Sequence, residues 1–299
     1  MMAAQSQAPL RGELVFDHPL ARYTSWRVGG TAERFYKPAD LDDLREFLRG
    51  LLPAEPLTWL GLGSNLLIRD GGVRGTVILV HAVLNELAQI GGERVRAQAG
   101  VPCAKLARFC AKHDMVEGEF FAGIPGTVGG ALAMNAGAFG GDTWQHVVEV
   151  ETIDRRGRIR TRTSDEYGVA YRTVTAPGEE WYVSATFALP RGDGQASLAK
   201  IRQLLARRAE TQPTGVASCG SVFRNPPGDY AARLIEACGL KGYAIGGARV
   251  SDKHANFIIN DGSATAQDME ALIEHIRQRV VDVHAVTLRP EVRMIGEPP

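Results

Sequence analysis

Residues 122–137 read Ala-Gly-Ile-Pro-Gly-Thr-Val-Gly-Gly-Ala-Leu-Ala-Met-Asn-Ala-Gly. Five glycines and a proline make this run a poor helix or strand former, because glycine loses backbone entropy and proline removes a donor. The composition suits a tight, buried turn whose amides approach a ligand with no side chain between. Concave runs of amides bind anions, pyrophosphate above all. Candidate contacts are Gly123, Ile124, Pro125, Gly126, Thr127, Gly129, Gly130, Asn135 and Gly137. A packed glycine corner without a ligand would have the same composition. A second run, Gly61-Leu-Gly-Ser-Asn65, turns the balance toward a cofactor site at Gly61, Gly63, Ser64 and Asn65. It follows a predicted strand, yet Leu66 and Leu67 stand where a Rossmann turn would lead to a third glycine and a helix. No glycine precedes Lys-Ser or Lys-Thr, so Walker A is absent as well. Two short glycine loops can hold the two ends of an extended dinucleotide.

The second half of the chain supplies groups suited to proton transfer. Ser221, in Gly-Ser-Val-Phe-Arg-Asn-Pro at 220–226, can donate a proton if a neighbour or water resupplies it, or it can satisfy its own turn. Glu291 and Arg293 fall on one face of a strand at period two, the pattern also of a plain surface ion pair. Arg172 follows Tyr171 beside a β-rich stretch, and His254 and Asn256 lie in a mostly apolar neighbourhood. No nucleophile-elbow serine and no HExxH pair occurs, which removes support for hydrolase and metal chemistry.

The elements that must position these groups alternate without a repeat. Strands are predicted at 32–36, 57–60, 66–68, 76–80, 95–99, 147–153, 159–163, 182–189, 256–259 and 286–295. Helices are predicted from Asp40, from Pro102, over 197–210 and 231–238, and from Ala266 to Val283, with Thr265 as N-cap and Asp268 completing a capping box. Arg191-Gly-Asp-Gly194 is the candidate linker. The fold class is therefore α+β with more than one domain.

The 299 residues carry 34 basic and 34 acidic side chains, so no global charge points to nucleic acid or an anionic membrane. The basic run at 155–162 alternates as the solvent face of a hairpin strand would. Cys103, Cys110, Cys219 and Cys238 lack zinc or CxxC spacing, and no secretory or membrane-spanning stretch is legible. A reduced cytoplasm is the expected compartment, and the first ten residues read as a loose terminus.

Seven landmarks stand in register: Gly-Leu-Gly-Ser-Asn at 61–65, the glycine run at 122–130, Met-Asn-Ala-Gly at 134–137, Tyr171-Arg172, the Ser221 segment, Gly-Leu-Lys-Gly at 239–242 and Arg-Pro-Glu-Val at 289–292. Together they resemble the UDP-N-acetylenolpyruvoylglucosamine reductase (MurB) family of bacterial peptidoglycan synthesis, over nearly the whole chain. The resemblance implies a flexible N-terminus at 1–20 and an FAD-binding region of the vanillyl-alcohol oxidase / PCMH type at 21–190, with subdomains at about 21–80 and 81–190. A substrate domain at 195–299 completes it. It also implies NADPH as hydride donor to FAD, and UDP-N-acetylenolpyruvoylglucosamine as the acceptor that becomes UDP-N-acetylmuramate. FAD would be non-covalent, since neither glycine loop contains a histidine. By matching motif, Arg172 and Glu291 would stabilise an enol-like intermediate, with Glu291 protonated at that step, and Ser221 would deliver the proton. Asn225, His254 and Arg293 would lie near the sugar nucleotide. Only 48 residues separate Arg172 from Ser221, matching the shorter of the two family subtypes and leaving no lid tyrosine to assign. The competing readings are an oxygen-using FAD oxidase of the same fold and a nucleotide-binding module without catalysis.

Overall fold

The computed structural model describes residues 9–299, so most of the predicted loose terminus lies outside the described residues. The stretch assigned to flexibility does not extend to residue 20. Glu13–Pro19 is a strand, an edge of the four-stranded sheet whose next member is Thr31–Lys37. Its side chains are largely exposed, so it lacks the apolar alternation by which a half-buried strand is recognised.

The chain divides into two compact units that interleave in sequence. Among the described residues, one comprises 9–16, 34–61 and 75–204, the other 17–33, 62–74 and 205–299. The contiguous boundary expected near 191–194 is thus replaced by several crossings, and the helix Gly194–Thr211 runs through the predicted start of the last domain. The reason is packing: Trp26, Val28 and Leu67, all early in the chain, sit fully buried among residues 219–292.

In the first unit, helix Leu41–Arg49 starts where Asp40 accepts the amide of Asp43 at 2.9 Å. It packs Leu44, Phe47 and Leu48 against Tyr36, Ile78 and Val183, with Tyr36 and Phe47 stacked at 3.7 Å between centroids. A five-stranded sheet runs in the order Ile159–Thr163, Val147–Asp154, Glu180–Ala188, Arg94–Gln98, Leu87–Gly91. The basic run forms the hairpin predicted for it. Arg162 bonds Glu180 at 2.7 Å and Arg158 bonds Asp154 at 2.7 Å, so acidic partners take up much of its charge.

The glycine-rich segment departs from expectation, because residues Val128–Met134 form a helix within it. Val128, Ala131 and Leu132 are buried, and the Gly129 amide donates to Ala99 O at 2.8 Å. A Cβ on Gly129 would come within 2.9 Å of Ala99 Cβ. Glycine is used there for closeness, and burial of its neighbours offsets its poor helix propensity.

In the second unit, helix Ala266–His284 carries the predicted Thr265–Asp268 capping box and buries Met269, Leu272, Ile273, Ile276 and Val280. Trp26 Nε1 donates to Ile258 O at 2.8 Å, and Asn260 Nδ2 donates to Trp26 O at 2.8 Å. The predicted strand over 286–295 condenses to Arg293–Ile295, which pairs in parallel with Leu66–Ile68. Upstream, Pro290 lacks the amide a ladder needs and makes a single antiparallel bridge to Phe223. The strand predicted at 256–259 starts later, at Ile258–Asn260, because Asn256 turns its polar groups onto residues 222–223. Among the described residues no helix is long and apolar enough to cross a membrane.

Candidate active site

Within the first unit, Gly61 at the start of one glycine loop meets Thr127 of the other. A Cβ on Gly61 would lie 2.5 Å from Thr127 Oγ1, so only glycine permits that approach. Cys103 N donates to Gly126 O and Val128 N to Val101 O, which anchors the turn at both sides of Thr127. Among the described residues no partner is seen for the amides of Gly126, Thr127 and Gly130. Gly130 is exposed, and a Cβ there would have only Thr127 Oγ1, at 3.8 Å, within reach. Unpaired amides around an open glycine surface fit an anionic dinucleotide.

Other predicted cofactor residues are engaged within the fold. Asn135 sits in the left-handed region at φ 45°, with Nδ2 on Ala170 O at 3.3 Å and Oδ1 taking the Trp144 amide at 3.1 Å. Gly137 O accepts Arg172 Nη2 at 3.0 Å. In the second unit, Gly63 at φ 59° lies so close to Tyr23 O that a Cβ would be 2.0 Å away. Ser64 follows, half-buried.

Arg172 occupies a hairpin turn between Gly168–Ala170 and Thr173–Thr175, itself at φ 54°. Its Nη1 donates to Asn135 O at 3.1 Å and pairs with Asp142 at 3.3 Å, and the guanidinium lies 5.0 Å over the Tyr171 ring. These contacts tie a cation to the end of the glycine-rich run.

Ser221 and Glu291 belong to the second unit, and main-chain bonds make their segments neighbours. Glu291 N donates to Val222 O at 2.7 Å, and Arg224 N donates to Arg289 O at 2.9 Å. Ser221 and Glu291 are both half-buried, whereas Cys219 is enclosed. Burial pushes the Cys219 thiol well above its ordinary range, and the charge of Glu291 adds to that push. Asn65 joins the same cluster: Nδ2 donates to Glu291 O at 3.1 Å and its main-chain oxygen accepts Arg293 N at 3.0 Å. The Arg293 side chain is exposed.

His254 packs edge-on against Phe257 at 4.8 Å, and its Nδ1 takes the Asn256 amide at 3.3 Å. That bond makes Nδ1 the acceptor and places the proton of the neutral ring on Nε2. Burial holds the imidazole below its usual value, against the opposing pull of a main-chain bond. Asn225 is exposed, with Oδ1 capping the Ala231 amide at 3.1 Å at the start of helix Ala231–Ala237. The residue that sequence reasoning left without a role is Asn256, whose side chain spans the Phe223 peptide groups. Its signal was a carboxamide inside the apolar stretch Ala255-Asn-Phe-Ile-Ile259, where burial demands hydrogen-bond partners.

Residues 212–295 match the family described as UDP-N-acetylenolpyruvoylglucosamine reductase, C-terminal domain, and residues 32–163 match an FAD binding domain. The UDP-N-acetylenolpyruvoylglucosamine reductase of Methylococcus capsulatus is 60% identical over 295 residues, 99% of this chain and 97% of that protein. The chain belongs to the UDP-N-acetylenolpyruvoylglucosamine reductase family. It is accordingly an FAD-dependent oxidoreductase with the α+β fold and C-terminal family domain that its sequence landmarks implied. The crystal structure of UDP-N-acetylenolpyruvylglucosamine reductase (MurB) from Thermus caldophilus matches with a TM-score of 0.81 at 31% identity, covering 96% of this chain and 99% of that one. The 6-hydroxy-D-nicotine oxidase of Arthrobacter nicotinovorans shares the fold, with a TM-score of 0.54 at 12% identity over 96% of this chain and 88% of that one.

Proposed function

We propose that the protein carries out the NADPH-dependent reduction of the enolpyruvyl group of UDP-N-acetylenolpyruvoylglucosamine to UDP-N-acetylmuramate, in peptidoglycan precursor synthesis. The observation that carries this reading is the pairing of the Ser221 and Glu291 segments through the 2.7 Å bond from Glu291 N to Val222 O. It brings the segment that bears a hydroxyl and the segment that bears a carboxyl group together through their main chains, which supports a site for protonation of a carbanion-like centre.

When bound, without a covalent tether, FAD supplies the redox chemistry that carries hydride from NADPH to the terminal carbon of the enol ether. Its candidate holders are the unpaired amides at Gly126, Thr127 and Gly130, with Gly61, Gly63, Ser64 and Asn65 as the other expected contacts. The remaining chemistry belongs to this chain's side chains. Charge developing at C2 spreads into the substrate carboxylate, where the Arg172 guanidinium stabilises it. Glu291, carrying a proton at that stage, donates a hydrogen bond instead of repelling. Ser221 Oγ then delivers a proton to C2. Enclosure of Cys219 favours Ser221 over the nearby thiol for that role. Asn225, His254 and Arg293 would contact the sugar nucleotide, with His254 Nε2–H as a donor.

An anaerobic visible spectrum tests the reading. Yellow protein should bleach on adding NADPH and regain its flavin band only with UDP-N-acetylenolpyruvoylglucosamine. Reoxidation by oxygen alone, with no response to the sugar nucleotide, would overturn it.

A further inference from the structure

Asn256 is 4% exposed, and each of its four polar groups is bonded. Its amide donates to His254 Nδ1 at 3.3 Å, and its main-chain oxygen accepts Val222 N at 2.9 Å. Its side-chain Oδ1 accepts Phe223 N at 2.9 Å, while Nδ2 donates to Phe223 O at 2.8 Å. The carboxamide thereby acts as one more residue of a β-ladder, gripping both polar groups of Phe223. On the opposite edge of the same strip, Val222 O accepts Glu291 N at 2.7 Å and Val292 N at 3.4 Å. The strip that begins at Ser221 is therefore zipped between Asn256 on one side and residues 289–292 on the other.

We infer that Asn256 is a positioning residue for the proton-delivery step, holding the Ser221 strip so that the serine hydroxyl and the Glu291 carboxyl keep a fixed separation. The inference rests on the reading of Ser221 as proton donor. Asn256 bonds Val222, Phe223 and His254 through its polar groups. It acts through two peptide groups, and a buried amide pair of this kind is rigid because breaking either bond leaves a desolvated donor or acceptor. Loss of a fraction of an ångström in such a relationship slows a chemical step steeply.

The carboxamide bonds can be removed while the main-chain bond from Val222 N to Asn256 O stays. Asn256→Asp preserves shape and the acceptor for Phe223 N but loses the donor to Phe223 O, and Asn256→Ala loses both. In rapid-mixing experiments on the FAD-loaded protein, bleaching by NADPH should stay within twofold of the parent for both variants. Recolouring by UDP-N-acetylenolpyruvoylglucosamine should slow about tenfold in Asn256→Asp and more in Asn256→Ala. Residues acting as one unit are non-additive, so Asn256→Asp placed on Ser221→Ala should add less than a further twofold. Amide hydrogen exchange at Phe223 should accelerate at least tenfold in Asn256→Ala, which loses the acceptor for Phe223 N, and less in Asn256→Asp, which keeps it, a readout independent of turnover.

Ser221→Ala alone separates the two claims. If it recolours at the parent rate, the reading of Ser221 fails. If it slows and Asn256→Asp does not, only the role of Asn256 fails. Equal slowing of both half-reactions, or a full tenfold effect of Asn256→Asp on the Ser221→Ala background, would likewise overturn that role. Should Asn256→Ala fail to fold, the isosteric Asn256→Asp carries the test.

Discussion

The carboxamide of Asn65 donates to the main-chain oxygen of Glu291 at 3.1 Å, across 226 positions of sequence. Asn65 closes a glycine loop that reads as a cofactor element, and Glu291 reads as an acid for the substrate. One side chain thus couples the loop to the segment bearing the acid. Asn65→Leu removes the bond and leaves Glu291 O without that donor. The expected cost is roughly 1–3 kcal/mol of stability, read as a lower urea midpoint for the FAD-loaded protein. A midpoint equal to the parent's would show that the bond contributes nothing.

Adjacent glycines at 129 and 130 should respond oppositely to alanine. At Gly130 a Cβ meets only Thr127 Oγ1, at an ordinary contact distance of 3.8 Å, so Gly130→Ala should leave folding intact or improve it by about 0.5–1 kcal/mol through helix propensity. The same methyl intrudes on the open amide surface, and FAD affinity should fall about tenfold. Gly129→Ala drives a methyl against Ala99 and should lower the melting temperature of the apoprotein. Titration of apoprotein with FAD and a melting curve distinguish the two. Equal FAD affinity in Gly130→Ala and parent would remove the amide surface from the cofactor site.

Ser221→Ala should slow substrate-dependent flavin recolouring by about 10²–10⁴, the usual worth of a positioned proton donor. Cys219→Ala, two residues away, should leave that rate within about threefold while lowering stability, because Cys219 is buried in the core of the second unit. A rate collapse in Cys219→Ala with an unaffected Ser221→Ala would transfer the proton to the thiol.

His254 predicts a pH-dependent stability with a definite sign. Burial lowers its folded value below 6.5, a main-chain bond opposes this, and Lys241 and Glu236 act in opposite senses on it. The unfolded chain therefore binds the proton at higher pH than the folded chain does. The stability associated with a neutral His254 is complete above pH 6.5 and is lost as pH falls toward the folded value. Melting temperatures from pH 8 to pH 5 should fall more steeply for the parent than for His254→Gln. Parallel curves would remove His254 as the source.

Local chemistry made much of this protein legible in advance. The helix Ala266–His284 was readable because its cap, Thr265 with Asp268, and its apolar spacing lie within a few turns of one another. The glycine loops were readable because the absence of side chains is itself a sequence feature, and Gly61 does come against Thr127. The short helix Val128–Met134 was not. Its glycines argue against a helix, and only packing against Ala99 and burial of Val128, Ala131 and Leu132 override that preference.

Relationships between distant segments lay beyond any local reading. Nothing near Trp26 announces that its indole will donate to Ile258 O, and nothing near Glu13–Pro19 announces a strand when most of its side chains face solvent. The same holds for Asn256 and Asn65, whose partners are main-chain groups that every residue type possesses. Side-chain chemistry is written in residue identity and spacing. A hydrogen bond to a peptide group acquires its address only when long-range packing brings that peptide within 3 Å or so.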